Sequence, residues 1–457
     1  MRKFCCLCLF CFAVLAGFPQ AAPKPAVIDG HPAWIMQGNI YEVNIRQYTP
    51  EGTLNAFTKS LGRLKAMGVQ TLWFMPLNPI SVKDRKGTLG SYYAVSDYTA
   101  LNPEFGVMAD WVRLVKQIHQ LGMKVIIDWV PNHTGADNRW LRQHPDFFVK
   151  DSSGNAAVAQ DWSDTRQLDY SNREMQDSMI ASMKWWITKS DIDGFRCDVA
   201  WNVPGAFWSR CIAELRKQKY VFMLAEGDKG YLPRSGFDAL YPWNFFNMMK
   251  KVAAGERPAF ALDSAYHEID SLYPPNTIEM YFTANHDENS WNKADFGVFP
   301  GAAHAPFVVL TQTMARSVPL IYSGQEEPVL RALAFFEKDP IVFSKYARAG
   351  FYKTLLALRK RSPALAANAS FRKIDAGDKK FVYAFVREGG GRKVLVLLNF
   401  SGEPQPVAVD DKTLWGNAFN VFANREETVG GKTRQLGAWK YLVYEYGTMP
   451  AVKKSTY

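Results

Sequence analysis

Short apolar runs alternate with stretches of helical periodicity along most of the chain. The run "NIYEVNIRQ" (39–47) precedes "LNAFTKSLGRLKAMG" (54–68), in which apolar residues recur at helical spacing and Gly68 ends the helix. The same alternation continues to residue 362, which predicts an α/β domain with parallel strands. The predicted strands are 39–47, 71–77, 124–130, 193–200, 220–227, 237–241, 278–287 and 319–324, and the predicted helices are 54–68, 108–122, 172–190, 205–218 and 346–362.

Eight strands that alternate with helices predict a closed (β/α)8 TIM barrel. A doubly wound open sheet is the alternative, but no glycine-rich phosphate-binding sequence follows the first strand. The stretch 134–171, between strand three and its helix, is polar, irregular and too long for an ordinary loop. We therefore expect a barrel domain at 23–363 with a short inserted subdomain at 134–171.

Beyond residue 363 the pattern changes from helical periodicity to alternation and turns. "KKFVYAFVRE" and "YLVYEY" are strand-like, and "GGGRKVLVLLNF" begins with a glycine turn. This pattern predicts a C-terminal antiparallel β-sandwich domain at 364–457.

The first 22 residues have the pattern of a secretory signal peptide. Arg2 and Lys3 form a basic start, residues 4–14 are apolar, and small residues follow near Ala21. The apolar run is shorter than the ~20 residues that span a membrane, and no later segment is long and apolar enough. We expect cleavage of residues 1–22 and a secreted or periplasmic protein without a transmembrane segment.

Net charge bears on which partners the protein can bind, and the cysteine count bears on whether it contains disulfide bonds. The net charge of +10 becomes +8 without Arg2 and Lys3, and the remaining basic residues are scattered. A nucleic-acid-binding face needs denser clustering, so we expect no nucleic-acid partner. Four of the six cysteines lie in the signal region, so only Cys197 and Cys211 remain, as two packed thiols or as one bridge.

Unexpected polar residues stand where the predicted strands end. In "DGFRCDVA" (193–200), Arg196 and Asp198 are two residues apart and therefore share one face of a strand in an apolar setting. A buried ion pair is weak evidence for stability, because desolvation can exceed the Coulombic gain, so the pair needs a functional reason. The other polar residues at these strand ends, or in the loops just after them, are Tyr93, Asp128, Asn132, His133, Glu226, His286 and Asp287.

Three of the four carboxylates in this set, those on predicted strands four, five and seven, would converge at one mouth of a barrel. The ends of barrel strands are where active sites lie, so Asp198, Glu226 and Asp287 would converge. Acetal cleavage needs one carboxylate to attack or stabilise the sugar carbon and another to protonate the departing oxygen. Arg196 favours an ionised Asp198, whereas close carboxylates raise the proton affinity of one member. The pattern therefore predicts a site that cleaves glycosidic bonds.

Four of the segments carry a family resemblance. In order and spacing, "DWVPNH", "DGFRCDVA", "LAEG" and "TANHD" resemble the four signature regions of the alpha-amylase family, glycoside hydrolase family 13. The resemblance extends over about residues 35–450. It implies retaining cleavage or transfer at α-glucosidic bonds. It also implies that Asp198 is the nucleophile, that Glu226 is the general acid and then the base, and that Asp287 holds the 2- and 3-hydroxyls of the distorted sugar.

The same resemblance implies supporting roles for the other matching residues. Arg196 would position Asp198, and Asp128 would be a supporting residue. The residues implied to bind the same sugar are His133 and His286, through its hydroxyls, and Tyr93, which would stack beneath it.

Two places depart from the family pattern. Trp201 and Asn202 stand where typical endo-acting alpha-amylases carry a Lys-His pair. Chain-length preference therefore stays open, and Trp201 is either a sugar-stacking residue or a packed core residue. Asn132 matches a frequent calcium ligand, but Gln167 in "TRQLDYSN" replaces a calcium-binding aspartate. We expect that the chemistry needs no cofactor, and a structural calcium ion stays an open alternative.

The favoured function is hydrolysis of α-1,4-glucosidic bonds in starch, glycogen or maltodextrins, of the alpha-amylase type. A 4-α-glucanotransferase, a cyclomaltodextrinase or another maltooligosaccharide-specific enzyme would use the same residues. A non-catalytic glucan-binding barrel is the alternative of another class, and the presence of all three carboxylates disfavours it. The expected partner is an α-glucan or a maltooligosaccharide, and the oligomeric state stays open.

Overall fold

A closed barrel of eight parallel strands forms the centre of the protein. The computed structural model describes residues 26–447, so the predicted signal peptide and residues 448–457 lie outside the described range. Successive strands pair in chain order, and the last strand closes the barrel on the first through Leu320 opposite Ile40. The strands are β1 (Ile40–Val43), β2 (Thr71–Phe74), β3 (Lys124–Trp129), β4 (Gly194–Cys197), β5 (Phe222–Ala225), β6 (Ala239–Leu240), β7 (Ile278–Tyr281) and β8 (Ser317–Tyr322).

The strands are short, and nearly every residue in them is buried. Continuous apolar runs are typical of parallel strands that are covered on both faces, and this is why the strands could be found in the sequence. The predicted ranges extend past most strand ends. Strand seven is the clearest case, because it ends at Tyr281 instead of residue 287. His286 and Asp287 begin a helix whose N-terminus is capped by Asn285, which accepts a hydrogen bond from the Glu288 amide at 2.8 Å.

Helices surround the barrel. The predicted helix 54–68 is divided in two, and Gly68 ends its second part with a φ of 106°. Along the described chain, three further helices of ten or more residues, at 243–253, 261–272 and 304–313, were not among the predicted ones, and neither were four shorter ones. Within residues 26–447, no helix combines the length and the apolar character that a membrane crossing needs. The helices are Ile45–Tyr48, Leu54–Thr58, Leu61–Met67, Met108–Gln120, Trp140–Gln143, Arg173–Ser190, Gly205–Gln218, Tyr231–Arg234, Trp243–Ala253, Ala261–Leu272, His286–Asn292, His304–Thr313 and Ala349–Arg361.

The stretch between β3 and its helix holds a small antiparallel pair of strands, His133–Gly135 with Thr165–Gln167. The Gly135 amide donates to the Val95 carbonyl at 2.8 Å, which ties this insert to the loop after β2. A Cβ at residue 135 would lie 2.6 Å from the Ala94 carbonyl oxygen, so only glycine allows so close an approach.

The C-terminal residues form an antiparallel sheet domain. Its six-stranded sheet has the order Ser370–Ile374, Val382–Gly389, Arg392–Asn399, Tyr441–Tyr446, Gly416–Asn420 and Arg425–Val429. A two-stranded sheet, Gln405–Val407 with Arg434–Leu436, shares a separate apolar core with it. The predicted fold class, a barrel followed by an antiparallel β-domain, is confirmed.

Cys197 and Cys211 are both buried and unbridged. The Cys211 thiol lies 3.5 Å from the sulfur of Met183. Of the two alternatives for these cysteines, the structure therefore has two packed thiols.

A buried arginine joins the barrel to the C-terminal sheet. Arg387 is fully buried and donates from Nη1 to the Thr313 carbonyl at 3.0 Å, from Nη2 to the Ala366 carbonyl at 2.8 Å and from Nε to the Ser370 carbonyl at 2.9 Å. Burial lowers the pKa of Arg387 to about 10. The side chain therefore satisfies carbonyl groups from both parts of the chain at once.

Replacing Arg387 should weaken the contact between the barrel and the C-terminal sheet domain. In Arg387→Met the buried carbonyl oxygens lose their donors, and we expect the free energy of unfolding to fall by roughly 3 kcal/mol. Urea unfolding followed by fluorescence measures this change. Arg425→Met, at a side chain that is 72% exposed, is the matched control and should change stability by less than ~0.5 kcal/mol. Equal effects of the two substitutions would contradict the assigned role.

Candidate active site

A pocket of about 360 Å³ opens at the carboxyl end of the barrel. Chain segments after β2, β3, β4, β5, β7 and β8 contribute to it, as expected for a barrel whose loops carry the site. A larger, more open cavity of about 790 Å³ lies beside the insert and contains none of the predicted site residues. Five of the predicted residues line the smaller pocket: Tyr93, His133, Asp198, Glu226 and Asp287.

Arg196 lies directly beneath this pocket and contacts three carboxylates. Its Nη1 is 2.9 Å from Asp128 Oδ1 and 3.0 Å from Asp198 Oδ1, and its Nη2 is 3.2 Å from Glu226 Oε2. Its Nε donates to the Tyr241 hydroxyl at 3.2 Å. Only 1% of the Arg196 side chain is exposed, so these contacts act in a medium that screens charge weakly.

The backbone holds the two central carboxylates just past the ends of their strands. The Asp198 amide donates to the Trp129 carbonyl at 2.8 Å, and the Glu226 amide donates to the Cys197 carbonyl at 3.0 Å. Each residue therefore continues the barrel's hydrogen-bond pattern by one step. Their side chains face one pocket and share one guanidinium.

The two oxygens of Asp198 have different environments. Oδ1 accepts from Arg196, whereas Oδ2 is buried without a hydrogen-bond partner in the described part of the chain. Burying an oxygen without a partner costs free energy, so its position here indicates a functional role. Val199 follows with a φ of 45°, a strained conformation for a β-branched residue, and its amide donates to Glu226 Oε2 at 2.7 Å. The turn after Asp198 therefore orients Glu226.

Burial, and after it the negative charge of Glu226, raises the pKa of the Asp198 carboxyl, and Arg196 opposes both. The guanidinium of Arg196 contacts both Asp198 and Glu226, and its positive charge favours the ionised form of Asp198.

The third carboxylate, Asp287, belongs to a separate network of charged side chains. His286 donates from Nδ1 to Glu42 Oε1 at 2.6 Å, and its Nε2 lies 3.3 Å from Asp287 Oδ2. Burial alone would lower the pKa of His286, but Asp287 and Glu42 raise it well above its usual value. Burial raises the pKa of Asp287, but His286 outweighs this and lowers it. A charged His286 therefore keeps Asp287 ionised at the pocket.

Tyr93 joins these two groups. Its hydroxyl donates to Asp128 Oδ2 at 3.1 Å and lies 2.7 Å from His286 Nε2, and its ring stacks on the imidazole with centroids 5.4 Å apart. Asp128 also accepts from the Trp73 indole at 3.2 Å. Burial raises the pKa of Asp128 to about 6, although Arg196 opposes this. Asp128 is thus a buried support of the pocket floor.

His133 stands on the other side of the pocket, 5.2 Å from the Trp162 ring. Its Nδ1 accepts from the Asn132 side-chain amide at 3.2 Å. Burial lowers the pKa of His133 to about 4. His133 is therefore neutral at ordinary pH and can exchange hydrogen bonds with a hydroxyl group.

Three tryptophans near the barrel mouth have different surroundings. Trp201 is 40% exposed and packs next to Gly227, where an added Cβ would be 2.9 Å from the Cβ of Trp201. Its exposure excludes a packed core position, whereas sugar stacking by Trp201 stays a prediction, because the residue is not among those that line the pocket. Trp291 is 55% exposed and lines the pocket, whereas Trp129 is buried against Tyr98.

The residues around Asn132 do not fit a calcium ion. Its backbone oxygen accepts from Gln167 Nε2 at 2.9 Å, and its Oδ1 accepts from Gln167 Nε2 at 3.2 Å and from Asn202 Nδ2 at 2.8 Å. These amide donors approach the oxygens that a hard cation would need as ligands. Among residues 26–447, no group of three or more His, Cys, Asp or Glu side chains could hold a metal.

Several residues of the site were not predicted from the sequence. Glu42 orients His286, the strained turn at Val199 orients Glu226, and Phe335 and Phe336 line the pocket. The apolar run around Glu42 offered one signal, because "YEV" places a charge in a strand that is buried throughout. The phenylalanines lie far along the chain in an irregular loop and carry no pattern.

The structure is a (β/α)8 barrel with two carboxyl groups, those of Asp198 and Glu226, paired at one pocket. Residues 31–167 match the alpha-amylase catalytic domain. This part of the chain is therefore similar to the alpha-amylase catalytic domain, in agreement with the resemblance seen in the sequence.

Relatives are similar over most of the chain. Alpha-amylase MalA from Haloarcula japonica is 27% identical over 426 residues, which cover 87% of this chain and 60% of MalA. Neopullulanase 2 from Thermoactinomyces vulgaris is 28% identical over 84% of this chain and 68% of its own length. The chain thus spans about 60% of the length of MalA.

A solved structure is similar over its whole length. The maltogenic alpha-amylase AmyB from Thermotoga neapolitana is 28% identical, with a TM-score of 0.82 over 91% of this chain and 100% of AmyB. This similarity includes the C-terminal sheet domain, because the matched share exceeds the barrel alone.

The buried His133 should make the stability depend on pH. Its pKa is about 4 in the folded state and ~6.5 in the unfolded state, so between these values only the unfolded chain takes up the proton. The free energy of unfolding should therefore fall as the pH falls from 6.5 to 4, with a His133 contribution of ~3 kcal/mol. His133→Gln should show a shallower dependence of the melting temperature on pH over this range. His267→Gln, at an exposed histidine, should keep the wild-type slope, and identical slopes in all three proteins would contradict the assignment.

The amide contacts of Asn132 predict insensitivity to chelators. We expect the melting temperature of the wild type to be the same in EDTA and in added calcium. Gln167→Asp replaces an amide donor with a carboxylate, so it should lower stability in EDTA and recover it with calcium. Gln143→Asp, at an exposed position in the insert, should show no response to calcium. Destabilisation of the wild type by EDTA would overturn this interpretation.

Proposed function

We propose that the protein is a retaining glycoside hydrolase that cleaves α-1,4-glucosidic bonds in starch, glycogen or maltodextrins. The observation that carries the proposal is that Asp198 and Glu226 contact one guanidinium and face one pocket. A retaining enzyme needs two carboxyl groups about 5–5.5 Å apart, one on each side of the scissile bond. Contact with the two terminal nitrogens of one guanidinium holds the two carboxyl groups close together at this pocket.

In the first step, Asp198 attacks the anomeric carbon of the bound glucose. Its Oδ2 is the oxygen that no protein group occupies, so it forms the new bond as the bond to the departing oxygen breaks. Glu226 gives its proton to that oxygen, and the reducing-end portion of the chain leaves as an alcohol. Arg196 holds the other oxygen of Asp198 and stabilises its charge before the attack.

In the second step, water replaces the departed chain. Glu226 is now a carboxylate and accepts a proton from the water, which attacks the anomeric carbon and displaces Asp198. The net configuration at that carbon is unchanged, and both carboxyl groups return to their starting states. A sugar hydroxyl in the place of water would give transfer instead of hydrolysis.

Three further groups would hold the reacting sugar. Asp287, kept ionised by His286, would accept hydrogen bonds from two adjacent hydroxyls, and neutral His133 would bind a third. Tyr93 would stack beneath the ring, since its own ring lines the pocket and is fixed by Asp128 and His286. These roles follow the family resemblance residue by residue.

The relatives support this proposal and leave its subclass open. They include alpha-amylases, a neopullulanase and, at 24% identity, a cyclomaltodextrinase from Bacillus sp.. An alpha-amylase type of activity is our proposal within this group. We also propose that the protein is exported, because residues 1–22 resemble a signal peptide.

Substitution of either carboxylate should abolish hydrolysis. Asp198→Ala and Glu226→Gln should each lower kcat on maltoheptaose by roughly 10⁴-fold or more, measured by chromatography of the products. Glu256→Gln, at an exposed position away from the pocket, should keep wild-type activity. A fluorinated glucosyl fluoride, whose enzyme adduct hydrolyses slowly, should label Asp198 in the wild type, as mass spectrometry of its peptide would detect. Wild-type rates in both variants would refute the function.

A further inference from the structure

The two ends of a bound glucan chain would lie over opposite sides of the barrel mouth. Glu226 follows β5, and Trp201, which packs on Gly227, follows β4, so the departing part of the substrate lies on this side. In a closed eight-stranded barrel, β8 and β1 lie across from β4 and β5. The loops after β8, β1 and β2 therefore stand where the donor-side sugars, towards the non-reducing end, would extend.

Two of these loops are joined across the mouth. The Leu89 amide donates to the Phe336 carbonyl at 3.1 Å, and the Thr88 amide donates to Glu337 Oε1 at 2.8 Å. A Cβ at Gly87 would lie 2.6 Å from the Cβ of Phe336, so the two segments touch. We refer to residues 87–90 and 335–337 as the donor-side bridge.

Buried side chains after β1 hold the donor-side bridge from below. Arg46 donates from Nη1 to the Gly90 carbonyl at 2.9 Å and from Nη2 to the Leu89 carbonyl at 3.2 Å. Gln47 donates from Nε2 to the Ala334 and Glu337 carbonyls, both at 2.7 Å. Charge-assisted and buried hydrogen bonds of this kind fix a loop in one position. The donor-side bridge is therefore held in a fixed position by buried hydrogen bonds.

The inner face of the bridge is aromatic and begins next to the reacting sugar. The Phe335 ring is nearly parallel to the Tyr93 ring, with centroids 6.3 Å apart, and packs against Trp291 at 5.3 Å. Phe336 lies 5.1 Å from Phe335 and also lines the pocket. A sugar that stacks on Tyr93 would therefore lie next to Phe335 of the donor-side bridge, because the Tyr93 and Phe335 ring centroids are only 6.3 Å apart.

An ion pair closes the flank between the bridge and the insert. Lys86 Nζ lies 3.2 Å from Asp164 Oδ1, and both residues line the pocket. Next to this pair, Arg166 Nη2 lies 2.7 Å from Asp84 Oδ2. The loop after β2 is thus tied to the insert as well as to the loop after β8.

We propose that this closure makes the enzyme act from chain ends. The donor-side bridge admits one or two glucose units beyond the scissile bond, so the enzyme would remove glucose or maltose from the non-reducing ends of α-glucans. Internal segments of a chain, which continue past the reacting sugar, would meet Phe335 and Phe336. This specificity rests on the proposed hydrolytic function, and the residues that set it are the bridge residues and the Lys86–Asp164 pair.

Two substrates that differ only at the non-reducing end test the proposal. The first is maltoheptaose with a fluorescent label at its reducing end, and the second is the same molecule with an ethylidene group on the 4- and 6-hydroxyls of its terminal glucose. The wild type should shorten the first by one or two units in each early step. It should act on the blocked substrate at least about tenfold more slowly, because the wall rejects the added group.

The outcomes separate this inference from the proposed function. Cleavage of both substrates at similar rates, or early release of trisaccharides and longer products, would overturn the end-acting specificity and leave hydrolysis intact. Cleavage of neither substrate would refute the function itself, and the specificity with it.

A double substitution in the donor-side bridge tests whether these residues set the specificity. Phe336→Ala with Glu337→Ala removes one aromatic wall and the contact to Thr88, so the rate ratio of blocked to free substrate should rise by about tenfold. Val342→Ala, at a 75% exposed position on the same loop, is the matched control and should keep the wild-type ratio. The melting temperature checks folding, and Thr88→Ala is a milder second variant. An unchanged ratio in the folded bridge variants would show that the bridge does not set the specificity.

Discussion

The contact of one buried guanidinium with three carboxylates is the interaction on which this site depends. Taking Arg196 out of water is unfavourable, and attraction to Asp128, Asp198 and Glu226 offsets this cost. Without the guanidinium, three carboxylates would repel one another at short range. With it, one oxygen of Asp198 is held and the other is left free. Arg196 therefore both compensates part of the negative charge and fixes the geometry of the site.

The barrel makes this arrangement possible because its strands end together. A second charged group, Glu42 with His286 and Asp287, lies beside the first, and Tyr93 links the two. The carboxylates at the pocket thus share two buried cations, Arg196 and His286, beneath them. The pocket can then present ionised groups to a sugar in a fixed arrangement.

Local patterns in the sequence predicted the barrel and most of the candidate site, because continuous apolar strands and the charges within them are local signals. Strand seven was predicted too long, since an Asn285 cap starts a helix where apolar content alone suggests a strand. The left-handed turn at Val199 and the contact between Phe335 and Tyr93 could not be predicted. The first depends on tertiary strain and the second on segments that are distant in the chain.

The donor-side bridge also has a consequence for the order of events along a polymer. A pocket that is blocked at its far end has a single opening, through which the freed sugar leaves and the next chain end enters. Under the proposed end-acting specificity, the shortened polymer would have to withdraw after every cut, and it would return no more readily than any other chain. Degradation would then be distributive, and the small sugar that accumulates would compete with the polymer for the same entrance.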